Sequence, residues 1–414
     1  METEPYDIII AGGGLVGGAL ACGLAQAGLR VAVIEPVPAD HGAQPSFDER
    51  HTALAPSSRY ILDAWGLWQP VRSVLTPIRH IHVSEQGGWG FVHFDAGQEG
   101  VDALGWLLAN RQMGTVLGER LETDERITLI SPAQVQAVEQ GSDRVRVTSA
   151  GTDGEQRLSA RLLVAADGAG SQTRKLAGLS VRSRDYRQSA VITTVTPARH
   201  HQGWAFERFT RAGPLALLPI AEGRCAIVWS VPPERAEAYR DGDDARFLAA
   251  LQQAFGYRLG PFRSCGHRLT YPLVERYTPT PYTGRVLLLG NAAHTLHPVA
   301  GQGLNLALRD AATLVELIGD SRAGGGDPGA EPLLRAYVRR RSEDLLRTRA
   351  FTNTLVSGFG SAHPLLRLAR SAGLAALQRC PPMRRTLLRT GAGRIGPLPV
   401  AACRPPEATG EDSS

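Results

Sequence analysis

Residues 286–310, VLLLGNAAHTLHPVAGQGLNLALRD, decide the fold of this chain. The apolar run 286–289 predicts a buried strand, and residues 305–310 read as the opening of a helix. The loop between them is rich in glycine and polar residues: Gly290, Asn291, Pro298, Gly301, Gln302, Gly303 and, at the helix start, Asn305. A strand, a glycine-rich loop and a helix start direct backbone N–H groups toward a phosphate or another electron-rich group.

A second glycine-rich element opens the chain. Residues 6–11, YDIIIA, predict a strand, and GGGLVG leads from it into a helix of small residues. Gly12, Gly14 and Gly17 match the dinucleotide fingerprint, whose glycines allow a tight turn, close approach to a pyrophosphate and close helix packing. The next predicted strand ends at Glu35, where a carboxylate can accept hydrogen bonds from a ribose. The fingerprint alone does not distinguish FAD from NAD.

A third element is residues 162–174, LLVAADGAGSQTR, an apolar strand that stops at Asp167 and Gly168. Asp-Gly is a frequent turn dipeptide, so on its own this segment indicates only a strand followed by a turn. Its significance comes from its place between the other two elements.

Together, the three elements resemble those of the FAD-dependent aromatic hydroxylases, the single-component flavoprotein monooxygenases typified by p-hydroxybenzoate hydroxylase. The resemblance spans most of residues 5–345. Residues 290–310, with 207–220 and 47–58, are similar to the ubiquinone-biosynthesis hydroxylases, and among these to the branch that acts on 2-polyprenyl-6-methoxyphenol. Asn291 stands where most of the superfamily has Asp, and this Asn is typical of that branch.

The resemblance implies an α/β fold, with a Rossmann-like FAD-binding domain, an inserted mainly-β substrate domain and a helical C-terminal region. The predicted FAD-binding domain is discontinuous and comprises residues 1–75, 100–180 and 275–335. The predicted substrate domain comprises 76–99 and 181–274, an Arg-rich helical region follows at 336–403, and 404–414 is a predicted disordered tail. The stretches SAVITTVTP, PLALLPI and RCAIVWSVP predict strands in the larger insert.

The same resemblance implies roles around one FAD. Gly12, Gly14, Gly17 and Glu35 would hold the ADP part, Asp167 and Gly168 the pyrophosphate region, and Gly290 and Asn291 the ribitol and phosphates. Pro298, Gly301, Gln302, Gly303 and Asn305 would run beside the isoalloxazine. Arg50 matches an arginine that contacts flavin in relatives, against the alternative of a salt bridge with Asp48 or Glu49, and Arg111 matches a position near the cofactor.

The chemistry implied by the resemblance is ring hydroxylation of a polyprenylated methoxyphenol in ubiquinone biosynthesis. NAD(P)H would visit transiently to reduce the flavin, since the chain carries one dinucleotide fingerprint, and O2 would then form a C4a-hydroperoxide that delivers the OH. The protein must orient the ring, exclude water and favour the phenolate. No catalytic residue is assigned, and His200 and Tyr271 are only examples of candidate bases.

Two other functions remain open at this point. One is a FAD monooxygenase or reductase of the same fold with another substrate. The other is a non-catalytic flavoprotein subunit of a ubiquinone-biosynthesis complex, because an intact cofactor site does not prove turnover. Substrate-stimulated NAD(P)H oxidation discriminates among them.

Composition argues against several classes of protein. The net charge of +5 is a mild excess, and no basic run is interleaved with aromatic residues, so we expect no nucleic-acid partner. The five cysteines form no CxxC, which favours free thiols in a reducing, cytoplasmic compartment. His294 and His297 lie near no carboxylate or cysteine cluster in the sequence, so we expect no metal site.

The C-terminal region is strongly basic. Between positions 335 and 394 thirteen arginines face two acidic residues, and 364–379 has apolar residues at helical spacing between arginines. Such a helix at 364–394 can lie on an anionic membrane at the inner face, or pack on the body or on a partner protein of ubiquinone biosynthesis. Residues 8–29 carry no charge, but their glycines fit a nucleotide-binding turn better than a membrane span.

Overall fold

The computed structural model describes residues 5–38, 48, 50–152, 154–359, 363–393, 396 and 398–403. The predicted tail at 404–414 and Glu49 therefore lie outside the described residues.

The strands are β1 (Tyr6–Ala11), β2 (Val31–Ile34), β3 (His51–Leu54), β4 (Thr76–Ile78), β5 (His80–Glu85), β6 (Phe91–Asp95), β7 (Gly105–Ala109), β8 (Ile127–Ile130), β9 (Ala133–Gln140), β10 (Val145–Gly151), β11 (Gly154–Ala165), β12 (Arg182–Pro197), β13 (Trp204–Phe209), β14 (Pro214–Pro219), β15 (Cys225–Val231), β16 (Phe262–Cys265), β17 (Leu269–Tyr277), β18 (Tyr282–Thr283), β19 (Val286–Leu288) and β20 (His294–Thr295). The α-helices are α1 (Leu15–Gln26), α2 (Pro56–Ala64), α3 (Asn110–Thr123), α4 (Gln172–Leu176), α5 (Pro233–Asp241), α6 (Asp244–Phe255), α7 (Gln302–Ala323), α8 (Glu331–Phe359), α9 (Pro364–Arg379), α10 (Pro381–Gly391) and α11 (Val400–Cys403). Short 3-10 helices cover Gln69–Val74, Ala221–Gly223, Gly290–Ala292 and Val299–Gly301.

The first sheet has the order β18-β19-β11-β1-β2-β8, and the hairpin of β9 and β10 joins it through β11. The central strands β19, β11, β1, β2 and β8 run parallel. Strands covered on both faces need continuous apolar runs, which explains the fully buried Ile8, Ile9 and Ile10. One face packs on α1, α3 and α7, and the other on the β9–β10 hairpin.

The second sheet has the order β20-β17-β12-β15-β14-β13-β5-β6, with β16 beside β12. Along each strand, successive side chains point to opposite faces of the sheet. The outer face carries Phe206, Leu217 and Trp229, which pack on Phe247 of α6. The opposite face is called the inner face below, and it packs on Ile78 of β4, Leu107 of β7 and Leu374 of α9.

Sheet membership differs from the predicted segment limits at two places. Thr76–Ile78 pairs with β7 in a small three-stranded sheet that also contains β3, although the sequence grouped it with the inserts. β17 extends to Tyr277, beyond the predicted limit at 274. β20, which lies in the glycine-rich loop after β19, pairs with β17 at the edge of the second sheet. These pairings depend on long-range hydrogen bonds, which leave no local pattern in the sequence.

The C-terminal residues form helices, as the spacing of apolar residues predicted. α8 packs along α7, and α9 lies against β6, where the Gln378 side chain accepts a hydrogen bond from the His93 backbone N–H (2.7 Å). Phe359, at the end of α8, stacks on Phe209 of β13 with ring centroids 3.7 Å apart. Among the described helices, none combines the length and the apolarity that crossing a membrane requires.

Candidate functional site

The three glycine-containing elements meet at one edge of the first sheet. β1, β11 and β19 are parallel neighbours, and Gly12, Asp167 and Gly290 follow their carboxyl ends. The turns are tied together by backbone hydrogen bonds, from Ala166 to Ala11 (2.8 Å) and from Leu289 to Ala165 (2.9 Å). In open α/β sheets this edge is where ligands bind.

The first turn leaves no room for side chains. Gly12 has φ +101°, and a Cβ there would lie 2.7 Å from the carbonyl oxygen of Ala166. At Gly17 a Cβ would lie 1.9 Å from the carbonyl oxygen of Gly12, so α1 packs directly on the turn. Gly14 is the N-cap of α1 and supplies no capping side chain, which leaves the N–H groups of the first turn available to an anion.

Glu35 is buried beside this turn. Its Oε2 accepts a hydrogen bond from the Gly13 backbone N–H (2.7 Å), and its Oε1 accepts from that of Val37 (2.9 Å). The carboxylate thus fixes the glycine turn, and its further lone pairs can accept from a ribose. The sequence predicted the second of these roles and not the first.

One carboxylate oxygen of Asp167 is left without a hydrogen bond by the described residues. Its Oδ2 accepts from the Thr173 backbone N–H (3.0 Å), whereas the buried Oδ1 has no hydrogen-bond partner within the described part of the chain. Its Cα would be 2.9 Å from a Cβ at Gly12, so the acceptor lies beside the dinucleotide turn. Since buried polar atoms are nearly always paired, this oxygen fits a hydroxyl group of a bound dinucleotide. Gly168 follows with φ +81° and an open side.

Arg174 connects the second and third elements. Its guanidinium donates to the carbonyl oxygens of Ala292 (2.8 Å) and Ala169 (3.0 Å), and its backbone N–H donates to Ser171 (2.9 Å). Arg174 is buried, so the two loops are held at a fixed separation.

The side chains of Asn305 and Gln302 hold the glycine-rich loop in place through hydrogen bonds. Asn305 Oδ1 accepts from Ala55 N–H (2.8 Å) and the Ser58 hydroxyl (2.7 Å), and its Nδ2 donates to Ala53 and Gly301 (both 2.8 Å). All its hydrogen-bonding capacity is used within the protein, so its side chain positions the loop. Gln302 Nε2 donates to the carbonyl oxygens of Ala300 (3.0 Å) and Gly391 (2.6 Å).

Other residues of the loop face outward. Gly303 lies in the first turn of α7, and outside that turn no atom of the described residues lies within 4 Å of a Cβ placed there. Gly301 and Ala300 both have positive φ, +60° and +61°, which turns the chain sharply before the helix. Asn291 is exposed, and Pro298 precedes the short helix Val299–Gly301.

The two predicted arginines lie around Asp48. Arg50 Nε is 2.5 Å from Asp48 Oδ2, so the salt bridge considered as an alternative is present. The guanidinium of Arg50 also lies over the Tyr271 ring, 5.1 Å from its centroid. Arg111 donates its backbone N–H to Asp48 (3.0 Å), and its side chain is exposed. The predicted contacts of both arginines with FAD stay predictions.

Each of the two histidines of the loop makes a hydrogen bond within the protein. His294 pairs with Asp310 on α7. Burial lowers the pKa of His297 to about 4, and its Nδ1 accepts from the Val299 N–H (3.2 Å). Within the described ranges, no three His, Cys, Asp or Glu side chains come together as a metal site would require.

The sequence family follows from comparison with known proteins. The profile of the family described as "FAD binding domain" matches residues 5–348. The chain belongs to this family. Its site fits that assignment, because the glycine turn, the open end of α1 and the unmet Asp167 oxygen suit a dinucleotide. The predicted cofactor, FAD, is therefore confirmed.

Relatives extend over nearly the whole chain. It is 37% identical to the ubiquinone hydroxylase UbiL of Rhodospirillum rubrum, over 96% of this chain and 92% of the relative. It is 32% identical to the 3-demethoxyubiquinol 3-hydroxylase of Escherichia coli, over 95% of this chain and all of the relative (100%). The crystal structure of p-nitrophenol 4-monooxygenase PnpA from Pseudomonas putida superposes with TM-score 0.78 at 23% identity, covering 95% of this chain and 99% of that one. The predicted fold class is confirmed.

The sequence did not single out one carboxyl group, that of Glu207, as a candidate functional group. Glu207 was noted only as part of a family-like segment, but it lies on the inner face of the second sheet. Its signal is the alternation in WAFERF, where Ala205, Glu207 and Phe209 share one face and only Glu207 is charged.

Proposed function

We propose that this protein hydroxylates the aromatic ring of a polyprenylated phenol in ubiquinone biosynthesis, with NAD(P)H and O2 as co-substrates. The names and full-length similarity of the relatives support the pathway. FAD bound at the glycine-rich edge supplies the chemistry that transfers one oxygen atom from O2 to an electron-rich ring.

The observation that carries the proposal is the apolar inner face opposite the glycine-rich edge. Five side chains lie in register across neighbouring strands of the second sheet, and all are partly accessible: Val83, Glu207, Ala216, Val228 and Ile192. Four of them are apolar, as an apolar aromatic substrate requires. Such a surface also excludes water from the reacting groups. We propose that this sheet, built mainly from 76–99 and 181–274, is the substrate domain.

An apolar path leads from this face to the C-terminal helices. Leu374 and Leu377 of α9 and Leu387 and Leu388 of α10 share one apolar cluster with Val83, Ala205 and Leu218 of the sheet. A prenyl tail many carbons long needs apolar surface beyond the ring pocket, because each buried CH2 contributes about 0.8 kcal/mol. This cluster would extend the ring site in that direction.

We propose further that α9 and α10 lie on an anionic membrane. At the start of α9, Leu365, Leu366 and Leu368 are 70%, 51% and 58% exposed. Arginines accompany these leucines along the two helices: Arg367, Arg379, Arg384, Arg385 and Arg389. Exposed leucines among arginines suit an anionic lipid surface, where the polyprenyl substrate resides.

The test is turnover by the purified FAD-loaded protein. NADPH or NADH is supplied with a polyprenyl phenol under 18O2, and products are analysed by mass spectrometry. We expect substrate-stimulated NAD(P)H oxidation and a product that carries one 18O atom. Stimulated oxidation with no labelled ring, for every polyprenyl phenol offered, would contradict the proposal. Flavin that NAD(P)H does not reduce with any phenol present would instead favour the non-catalytic subunit.

A further inference from the structure

We propose that the Glu207 carboxylate accepts the phenolic proton of the bound ring. The inference rests on the proposed function and names the base for that same site. The phenolic O–H bond breaks, its electron pair stays on the ring oxygen, and the proton moves to Glu207. The proton returns to that oxygen when the hydroxylated ring regains its aromatic form, and the hydrogen of the attacked carbon leaves to water.

The position of Glu207 is fixed by strand pairing. On β13 it lies opposite Val83 of β5 and Ala216 of β14. Directly paired residues of neighbouring strands project from the same face, so Glu207 lies within the apolar row, between Val83 and Ala216. The neighbours along its own strand on that face are Ala205 and Phe209, both buried.

This face points toward the cofactor-binding part of the molecule. The Arg50 guanidinium, a predicted FAD contact, lies over the ring of Tyr271 of β17. Tyr271 is opposite Ala190 of β12, which lies on the same face as Ile192 of the Glu207 row. Phe209 meets Phe359 of α8. A ring held between the inner face and the flavin edge would therefore meet the Glu207 row.

Within the described part of the chain, the Glu207 carboxylate makes no hydrogen bond and no ion pair, and its side chain is half-buried. Protein atoms surround it, and burial raises its pKa to about 7. A carboxylate that folding leaves unpaired in such surroundings is costly, which points to a ligand partner.

Three other charged groups of the described residues that lie around this surface are paired. Glu85 of β5, one row away, is bound by Arg370 of α9. On the FAD side, Arg50 is bound to Asp48 above Tyr271. Arg224, next to the start of β15, donates to Thr194 of β12. Burial is the cause of the raised pKa of Glu207, with no charged neighbour contributing.

The chemistry suits this environment. A general base works best when its pKa lies near the operating pH, and a base at about 7 is poised to take a proton in the transition state. A phenol has a pKa of about 10 in water, so it remains neutral without such a base. Ionisation raises the electron density of the ring carbons that receive oxygen.

The experiment compares Glu207→Gln with Glu207→Asp and the wild type. We expect Glu207→Gln to keep its flavin content and to lose about 100-fold or more of the hydroxylation rate, the usual contribution of a general base. The wild-type rate should rise with pH through about 7, because the carboxylate is the active form, and Glu207→Gln should lack this rise. Glu207→Asp should recover part of the rate. Glu234→Gln, an exposed acid on α5, is the matched control and should behave like the wild type.

Two further readouts separate this proposal from the proposed function. A polyprenyl phenol of lower pKa should restore activity to Glu207→Gln, which a structural role would not allow. An infrared carboxylic-acid band, present in wild type and absent in Glu207→Gln, should grow when the phenol binds, with no turnover needed. Hydroxylation by Glu207→Gln within threefold of wild type, or a band that does not grow, would overturn the role of Glu207. Band growth without any product in the wild type would instead overturn the proposed function.

Discussion

Nε2 of His294 lies 2.6 Å from Oδ2 of Asp310, and this contact joins the glycine-rich loop to α7. Asp310 also accepts from Arg341 of α8 (2.6 Å), and Arg341 and Arg309 both bind Asp344 (2.5 and 2.8 Å). All five side chains are buried. The position of the loop against α7 and α8 therefore depends on a buried network of hydrogen bonds and ion pairs, in which removal of one member leaves its partners unpaired.

We expect Asp344→Asn to destabilise the protein by about 3 kcal/mol at pH 6, because two buried guanidinium groups then lose the carboxylate that they share. Burial alone would raise the pKa of Asp344, but Arg341 and Arg309 lower it to about 2, below the value of 3.8 for an unperturbed Asp. The stabilisation is therefore complete above about pH 4 and is lost as the pH falls through about 2. Urea unfolding at several pH values measures the free energy.

The neighbouring Glu343 provides the control. It pairs with Arg347 on the exposed side of the same helix, so Glu343→Gln should cost less than about 1 kcal/mol. Equal losses for the two variants would show that the buried network does not stabilise the fold.

Gly17→Ala should abolish FAD binding. Its Cβ would lie 1.9 Å from the carbonyl oxygen of Gly12, and only a shift of α1 or of the turn can relieve the clash. Flavin absorbance of the purified protein measures the outcome. Gly319→Ala, four residues before the end of α7, is the control, since no described atom outside its own helical turn lies within 4 Å of a Cβ there. It should keep FAD and add up to about 1 kcal/mol of stability. A Gly17→Ala protein that purifies with a full complement of FAD would show that the turn can shift to accommodate the methyl group.

Gly303→Ala tests whether the flavin lies against the first turn of α7. The apoprotein has space for the methyl group at the first turn of α7, so its unfolding should change little. If the flavin lies against this turn, as the resemblance implies, the methyl group meets the ligand, and the Kd for FAD should rise tenfold or more. Calorimetric titration of the apoprotein measures it. An unchanged Kd would place the flavin away from Gly303.

Arg50→Ala tests a residue with two interpretations. If Arg50 contacts FAD, its loss should raise the Kd for FAD about tenfold, the effect of removing one charged contact of about 1.4 kcal/mol. Asp48→Asn, which weakens the salt bridge but retains Arg50, should then change the Kd by less than threefold. Equal effects of the two substitutions would favour the salt bridge as the main role of Arg50.

The sequence predicted what depends on local geometry. Gly17 is required by a contact with Gly12, five residues away, and the positive φ of Gly12 is a local feature of the same turn, so the strand–turn–helix pattern indicates both glycines. The pairing of Thr76–Ile78 with β7 and the extension of the second sheet by β20 depend on distant segments, so the pattern could not show them. The alternation in WAFERF places Glu207 on one face of its strand, but the apolar residues beside it come from other strands, so the pattern alone could not show its surroundings.

The surface formed by α9 and α10 should bind anionic vesicles. In co-sedimentation, we expect the wild type to bind vesicles that contain phosphatidylglycerol and to bind weakly to phosphatidylcholine alone, with binding reduced by salt. The double variant Leu365→Ser and Leu368→Ser removes two leucines that are 70% and 58% exposed, so it should lose tenfold or more of the affinity. Tyr257→Ser, at a 71% exposed residue remote in sequence from these helices, is the control and should bind normally. If the leucine variant binds as well as the wild type, this surface does not insert into lipid, and a partner protein becomes the better occupant.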